Sequence, residues 1–148
     1  MPGLPSEPSA ERPAAPRRPR ASSTCPCGSG RGFGACCGPY LDAERTAPTA
    51  EALMRSRYTA FALDDTAHLL ATWHPTTRPA RLDLDADVRW TGLEVLATEA
   101  GTADDVRGVV EFRAHHVHAG RADVLHERSR FRRQDGRWFY VRGRTPAP

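Results

Sequence analysis

The sequence contains no lysine, isoleucine or asparagine, so all 21 of its basic residues are arginine. This bias is typical of a GC-rich genome, and a single arginine is therefore weak evidence for an anion-binding role. No apolar run approaches the ~20 residues that a membrane-spanning helix needs. The first twenty residues also lack the apolar segment of a secretory signal peptide. We therefore predict a cytoplasmic protein without a membrane-embedded part.

The sequence also lacks any recognisable catalytic motif and any strong charge imbalance. Its formal net charge of +3 is too small to predict nucleic-acid binding unless the charge is clustered on one surface. Hydrophobic residues make up 39% of the 148 residues and are concentrated after residue 48. The chain can therefore form one domain of ordinary size with a small appendage.

Cysteine is scarce but concentrated, because all four cysteines fall within thirteen residues: Cys25, Cys27, Cys36 and Cys37. Glycines lie between the two pairs and let the backbone fold closely around an ion. Thiolates bind zinc tetrahedrally, at roughly 2.3 Å per Zn–S contact. Two disulfides or a redox pair are alternatives, but a vicinal disulfide is strained and C-x-C is not the redox C-x-x-C. We predict one structural Zn²⁺ with no open, hydrolytic coordination position.

The chain divides into three parts. Residues 1–22 are rich in proline and arginine and are predicted to be a disordered tail, because they cannot bury enough apolar surface to offset the entropy of ordering. Residues 23–44 form the cysteine module. Residues 48–145 form the main domain.

Hydrophobic periodicity predicts helices first and strands afterwards. Thr49 is suited to cap a helix over 50–63, and a second helical stretch over 65–73 ends before Pro75. Four alternating segments then predict an antiparallel meander, over 88–96, 106–118, 122–132 and 137–144. The expected class is α+β, with the helices packed on one face of the sheet.

The cysteine module, Cys25–Leu41, resembles the SEC-C zinc motif in its spacing and its Gly-Ser-Gly loop. The segments Ala52–Phe61, Trp73–Pro75 and Gly136–Val141 look like those of the YchJ-like family of uncharacterised bacterial proteins. The resemblance implies a cone-shaped nuclear transport factor two-like (cystatin-like) domain behind an N-terminal SEC-C motif. In the preprotein translocase ATPase that motif docks a protein partner, so we expect a protein or ribosome contact here.

Relatives by fold include isomerases and dehydratases that place a carboxylate and a histidine inside the cone. The resemblance therefore makes Glu127, His74 and His126 the catalytic candidates, with Tyr58 beside them. Glu127 has the strand parity of core residues, and burial would raise the pKa of its carboxyl group. The alternative is a structural ion pair between Glu127 and Arg55 or Arg57, which buried charges usually require.

Two further sets of residues have a functional and an ordinary interpretation. His115, His116 and His118 could bind a metal, but only the last two share a strand face, so an exposed hairpin end is expected instead. Arginines on one strand face could contact RNA or an acidic partner, or could simply be solvated: Arg128, Arg130 and Arg132, with Arg133 and Arg113 nearby. The same open sheet face could form a homodimer.

These observations favour a zinc-stabilised, non-catalytic adaptor. The rival prediction is a small-molecule enzyme of the isomerase or dehydratase type. The surroundings of Glu127 distinguish the two: a cavity beside both Glu127 and a histidine favours catalysis, whereas an arginine at hydrogen-bond distance and no cavity disfavours it.

Overall fold

A computed structural model describes residues 17–147, and these form an α+β fold. A short 3-10 turn, Phe33–Ala35, comes first, and three helices and four strands follow. The helices are α1 (Gly38–Leu41), α2 (Ala50–Ala62) and α3 (Thr66–Ala71), and the strands are β1 (Val88–Ala100), β2 (Arg107–His118), β3 (Arg121–Gln134) and β4 (Arg137–Arg144). The predicted order of helices before strands is confirmed. None of the described helices is long and apolar enough to cross a membrane.

The two main helices begin where side-chain caps predict. Thr49 has extended backbone geometry, and its hydroxyl accepts a hydrogen bond from the amide of Ala52 at the start of α2. Asp65 caps α3 in the same way by accepting from the amide of His68. Helix α3 ends at Ala71, two residues earlier than predicted, because Trp73 forms a β-bridge with Tyr140 of β4.

The sheet is an antiparallel meander in the order β1-β2-β3-β4. Asp135 and Gly136 both have positive φ, as the tight turn between β3 and β4 requires. Strand β1 runs four residues beyond its predicted end at residue 96, since its backbone continues to pair with β2 although its side chains are exposed. Bulges interrupt the β1–β2 register twice. Each bulge shifts the alternation of inward and outward side chains along β1, so the sequence pattern could not reveal the full length of this strand.

Helix α2 packs on one face of this sheet, which we call the inner face. Its first amide, Ala50 N, donates to Gly101 O at 3.0 Å. Gly101 has a φ of +79°, and a Cβ there would come within 2.8 Å of the Ala50 Cβ. A Cβ on Gly108 would likewise lie 2.6 Å from Gly101 Cα. The two glycines therefore allow the β1–β2 turn to approach the start of the helix.

The cysteine module and the main domain share one hydrophobic core. Its buried members include Cys25, Cys37 and Phe33 of the module together with Leu53 and Met54 of α2. The cysteine module and the main domain therefore pack together as one unit and are not two separate cores. Apolar burial of this kind stabilises both parts together.

The predicted disordered tail ends earlier than residue 22. Arg18 forms an ion pair with Asp42 at 2.7 Å, and its guanidinium carbon lies 5.0 Å from the centroid of the Phe33 ring. The amide of Gly34 donates to Ala21 O at 3.0 Å. These contacts with the module correct the prediction for residues 17–22, whereas residues 1–16 lie outside the described residues.

Candidate metal centre and inner cavity

The cysteines are brought together by two short pieces of backbone. Cys25 and Cys27 lie in a loop closed by a bridge between Thr24 and Gly32, and the Cys25 amide donates to Arg31 O at 2.8 Å. The vicinal pair that follows lies between the 3-10 turn and α1. Gly28 and Gly30 of the loop take positive φ, which L side chains rarely adopt.

The four sulfur atoms converge on one point. All lie within 4.8 Å of one another. The Cys27–Cys36 separation is 3.5 Å and the Cys36–Cys37 separation is 4.0 Å. A tetrahedral thiolate site with Zn–S bonds of roughly 2.3 Å requires sulfur atoms about 3.8 Å apart. The donor set and its spacing therefore fit a four-coordinate metal ion, with all four predicted ligands in place.

The surroundings of the sulfur atoms are those of a closed metal site. Three of the cysteines are buried, and Cys36 is half-buried. Ser29 Oγ lies 3.1 Å from Cys36 Sγ, within hydrogen-bond distance of a metal-binding thiolate. Hydrogen bonds from the Cys25 and Cys37 thiols lower the pKa of the Cys27 thiol. The same hydrogen bonds raise the pKa of the Cys25 and Cys37 thiols, so without a metal ion one thiolate is shared among neighbouring thiols, and a bound cation would favour the thiolate form of all of them.

The predicted ion pair between Glu127 and an arginine of α2 does not form, which corrects that expectation. Arg55 turns instead to the metal module, where it donates to Cys27 O at 2.8 Å, and pairs with Glu51 of its own helix. Arg57 is 5% exposed, and its Nη1 donates to the backbone oxygen of Leu69 at 2.7 Å. A carbonyl at the end of α3 thus takes the place of the expected carboxylate.

Between α2 and the inner face of the sheet lies a cavity of about 180 Å³, which we call the inner cavity. Glu127 lines it together with Ser129, which confirms the predicted strand parity. The Ser129 hydroxyl donates to Glu127 Oε2 at 2.7 Å. Most of the wall is aromatic: Tyr58, Phe61, Trp73, Trp90, Phe112, Phe131 and Tyr140. Burial raises the pKa of both Tyr58 and Tyr140 to about 12.

Neither histidine candidate lines the inner cavity. His74 is buried elsewhere, with Nδ1 2.7 Å from Thr76 Oγ1 and Nε2 2.9 Å from Gln134 Oε1. His126 belongs to the opposite, outer face of the sheet, where its Nε2 lies 3.2 Å from Glu111 Oε2. The carboxylate–histidine pair of the enzyme prediction is therefore not assembled around Glu127.

One buried histidine was not foreseen from the sequence. His68 is 9% exposed, and its Nε2 lies 2.9 Å from Ser56 Oγ. Burial lowers its pKa to about 4, and the positive charge of Arg57 acts in the same direction. Its position two residues after the start of α3 offered no signal, because burial here depends on how α3 packs against α2.

The three histidines of β2 have separate surroundings. His115 contacts Glu94, and His116 stacks on the ring of Trp90 with centroids 5.0 Å apart. His118 lies 3.1 Å from Asp85, and with Asp87 it forms an exposed group of three side chains. His116 packs against Trp90 and His118 pairs with Asp85, so the two side chains face different partners and the predicted hairpin end accounts for them better than a two-histidine metal site.

The outer face of the sheet carries the predicted row of arginines, but not all of them are free. Arg128 is neutralised by Glu99 at 2.6 Å and Glu111 at 3.3 Å. Arg133 turns aside and donates to Asp105 O. A shallow depression nearby is lined by four other exposed arginines: Arg107, Arg130, Arg132 and Arg142. Among residues 17–147, none of these four lies within ion-pair distance of a carboxylate.

Comparison with known proteins agrees with both halves of this structure. The model of the YchJ middle, NTF2-like domain matches residues 49–143, and the SEC-C motif model matches residues 22–39. The fold and site thus define a protein with a SEC-C motif and its four-cysteine cluster fused to an NTF2-like domain. The chain belongs to the YchJ family, whose curated relatives are called UPF0225 proteins.

Relatives of known sequence and structure match along most of the chain. A UPF0225 protein of Chromobacterium violaceum is 56% identical over 84% of this chain and 94% of its own length. A UPF0225 protein of Streptomyces coelicolor is also 56% identical, over 80% of this chain and 93% of its own length. The solution structure of a SEC-C motif containing protein from Rhodopseudomonas palustris has a TM-score of 0.74 at 36% identity. The match covers 84% of this chain and 100% of that protein's chain. The crystal structure of a SEC-C motif containing protein from Psychrobacter arcticus has a TM-score of 0.68 at 26% identity. This match covers 86% of this chain and 85% of that protein's chain.

Proposed function

We propose that this protein is a zinc-stabilised, non-catalytic adaptor of the cytoplasm, and that its partner is the ribosome. Zinc is the metal that best suits four thiolates in a closed tetrahedral site. Such a site has no free coordination position at which a substrate or an activated water could bind. Its role here is to hold the module, as the shared core with α2 indicates.

The observation that carries the choice of partner is the cluster of four arginines on the outer face, which we call the arginine cluster. Arg107 and Arg132 are directly opposed in the β2–β3 register, and Arg130 and Arg142 are opposed in the β3–β4 register. Like charges in directly opposed positions destabilise a sheet. An anionic partner removes this cost. The phosphate backbone of ribosomal RNA supplies closely spaced negative charges, and arginine binds phosphate with two parallel hydrogen bonds.

The SEC-C module supplies the second contact in this proposal. Its surface beside Cys36 is a polar cleft shared with α2, and Arg31, Tyr40 and Arg55 line it. The SEC-C motif of the preprotein translocase ATPase, which this module resembles, docks a protein partner. In this proposal the arginine cluster supplies most of the affinity for the ribosome, and the module supplies the specificity. A homodimer formed through the outer face remains the alternative. Because the outer face carries several positive charges, pairing it with a second copy of itself is less favourable than binding an anionic partner.

Co-sedimentation of the zinc-loaded protein with ribosomes tests the proposal. We expect binding that weakens steeply as salt rises, because each arginine–phosphate contact releases counterions. The double variant Arg130→Gln, Arg132→Gln should bind at least about tenfold more weakly. Its matched control is Arg89→Gln, Arg121→Gln, which removes the same charge from the opposite end of the sheet and should bind normally.

A second pair of variants tests the module. Ala35→Glu places a bulky negative charge on the exposed surface of the module, whereas Ala122→Glu adds the same charge at the β2–β3 hairpin. Loss of binding only in Ala35→Glu supports the adaptor role of the module. Equal binding by all four variants, or no sedimentation with ribosomes at low salt, contradicts the ribosome proposal; capture of an acidic protein instead would point to a protein partner.

A further inference from the structure

The four cysteines differ in how far solvent reaches them. Cys25, Cys27 and Cys37 are at most 2% exposed, whereas Cys36 is half-buried and lines the polar cleft between the module and α2. A dissolved oxidant therefore reaches Cys36 more readily than the other three. Cysteines that react in proteins are partly exposed, and buried structural cysteines are inert. Cys36 is thus the member of the cluster at which chemistry from outside can begin.

The cleft also offers groups that help a thiolate to react with a peroxide. Ser29 Oγ lies 3.1 Å from Cys36 Sγ, and Arg31 lines the same cleft. Within residues 17–147 Arg31 has no carboxylate at ion-pair distance, whereas Arg55 is paired with Glu51. Attack of a thiolate on a peroxide releases hydroxide, and nearby hydrogen-bond donors and positive charges stabilise such a developing anion.

A second sulfur atom lies close enough to complete a disulfide with Cys36. Cys27 Sγ is 3.5 Å from Cys36 Sγ, and Cys37 Sγ is 4.0 Å from it. Disulfide geometry is specific, so a bond between the neighbouring residues Cys36 and Cys37 is strained. Cys27 belongs to a separate loop whose glycines let the backbone adjust. Cys27 is therefore the favoured partner, and oxidant-sensitive cysteines often have such a partner beside them.

The other two cysteines are held by the rest of the fold. Cys25 Sγ lies 3.9 Å from Thr59 Oγ1 in the buried middle of α2, and Cys37 is the residue that begins α1. A bond between Cys27 and Cys36 would leave only these two thiols for a metal ion. A closed tetrahedral site needs four ligands, so bond formation would release the metal.

We propose that Cys36 is a site of oxidative modification by hydroperoxides and that Cys27 resolves it. The Cys36 thiolate attacks the O–O bond of the peroxide, which forms a sulfenic acid and releases hydroxide. The Cys27 thiolate then attacks the sulfenic sulfur, which forms the Cys27–Cys36 disulfide and releases a second hydroxide. Two thiolates thus give two electrons to one peroxide, and a dithiol reductant reverses the change.

This modification goes beyond the adaptor role and does not require the ribosome as partner. Only the release of zinc rests on the proposed metal. Because the module and α2 share one core, loss of the metal would weaken the surface that the module presents to a partner. The adaptor would then respond to peroxide in its surroundings.

Hydrogen peroxide added to zinc-loaded full-length protein tests the proposal, with a chromogenic chelator to follow zinc. Free thiols are then alkylated, and the protein is digested with trypsin. Cleavage after Arg20, Arg31 and Arg45 places Cys25 and Cys27 in the peptide 21–31 and the vicinal pair in the peptide 32–45. A bond between the two pairs therefore links two peptides, and fragmentation in the mass spectrometer identifies the cysteines that it joins.

We expect Cys27 joined to Cys36, with Cys25 and Cys37 alkylated, and about one zinc released per disulfide. Dithiothreitol should restore both the thiols and zinc binding. Cys27→Ser should stop at a sulfenic acid on Cys36, which dimedone traps. Its matched control is Cys25→Ser, which also removes a buried sulfur ligand but should still form the bond to Cys36.

The peptide map of the wild-type protein needs no variant, so the proposal can be contradicted even if both variants fail to fold. A bond within one peptide as the main product, Cys25–Cys27 or Cys36–Cys37, would overturn it. Retention of all four thiols and of zinc in peroxide that oxidises glutathione would also overturn it. Protein that contains no zinc yet forms the Cys27–Cys36 bond would contradict the proposed metal and uphold this modification, so the two failures are distinguishable.

Discussion

The Sγ atom of Cys25 lies 3.9 Å from the hydroxyl oxygen of Thr59, a fully buried residue in the middle of α2 that is 34 positions away in the chain. This contact joins the metal module to the longest helix of the NTF2-like domain. Because Cys27 and Cys37 also belong to the common core, a metal ion bound by these sulfur atoms would stabilise the domain as well as the module.

The hydrogen bond from Ser29 to the cluster should tune metal affinity. Ser29→Ala removes the hydroxyl that lies 3.1 Å from Cys36 Sγ, and we expect about tenfold weaker zinc binding in competition with a chromogenic chelator. Ser29→Thr keeps a hydroxyl and should restore most of the affinity. Equal affinities for all three proteins would show that this contact has no influence on the metal.

Gly143 should be intolerant of a side chain because of Glu127. We expect Gly143→Ala to lower the free energy of unfolding by about 1 kcal/mol, since the new Cβ would displace the Glu127 carboxylate from its hydrogen bond with Ser129. In a Glu127→Ala background most of this loss should disappear, as measured by urea denaturation of the four proteins in a double-mutant cycle. Additive effects would contradict the close approach of these two residues.

His68 should make stability depend on pH. Its folded-state pKa of about 4 lies below the ordinary value of 6.5, so the unfolded chain binds the proton more tightly. The stabilising effect is therefore fully present above pH 6.5 and is lost as pH falls toward 4, by up to about 3 kcal/mol.

The measurement for this prediction is the difference in free energy of unfolding between wild type and His68→Gln across that pH range. Glutamine cannot be protonated, but it can still bond to Ser56, so the difference isolates the titration of His68. Parallel stability curves for the two proteins would show that His68 does not titrate as its buried position implies.

Local signals predicted much of this fold. Thr49 as a helix cap, the break between the last two predicted strands and the strand parity of Glu127 depend on short stretches of sequence. The meeting of the four sulfur atoms followed from cysteine spacing with glycines between. Each of these features is decided by neighbours within about a dozen residues, and the sequence displays such neighbours directly.

Features that depend on tertiary packing could not be predicted in the same way. Arg57 was expected to need an acidic or a carbonyl partner, and only the packing of α3 against α2 shows that this partner is the Leu69 oxygen and not Glu127. His74 was expected in the cavity, but the return of the chain beside β4 places it next to Gln134. The Trp73 indole N–H, which has no hydrogen-bond partner among residues 17–147, can be recognised only once the helices and the sheet are assembled.

Zinc content measured together with calorimetric unfolding of the same reduced sample tests the central claim most directly. The account predicts about one zinc per chain and a single transition, which moves to lower temperature when a chelator removes the metal or when Cys25→Ser and Cys36→Ser are combined. Protein that is fully reduced yet contains almost no zinc would contradict the account, and so would a main-domain transition that is unchanged by metal removal.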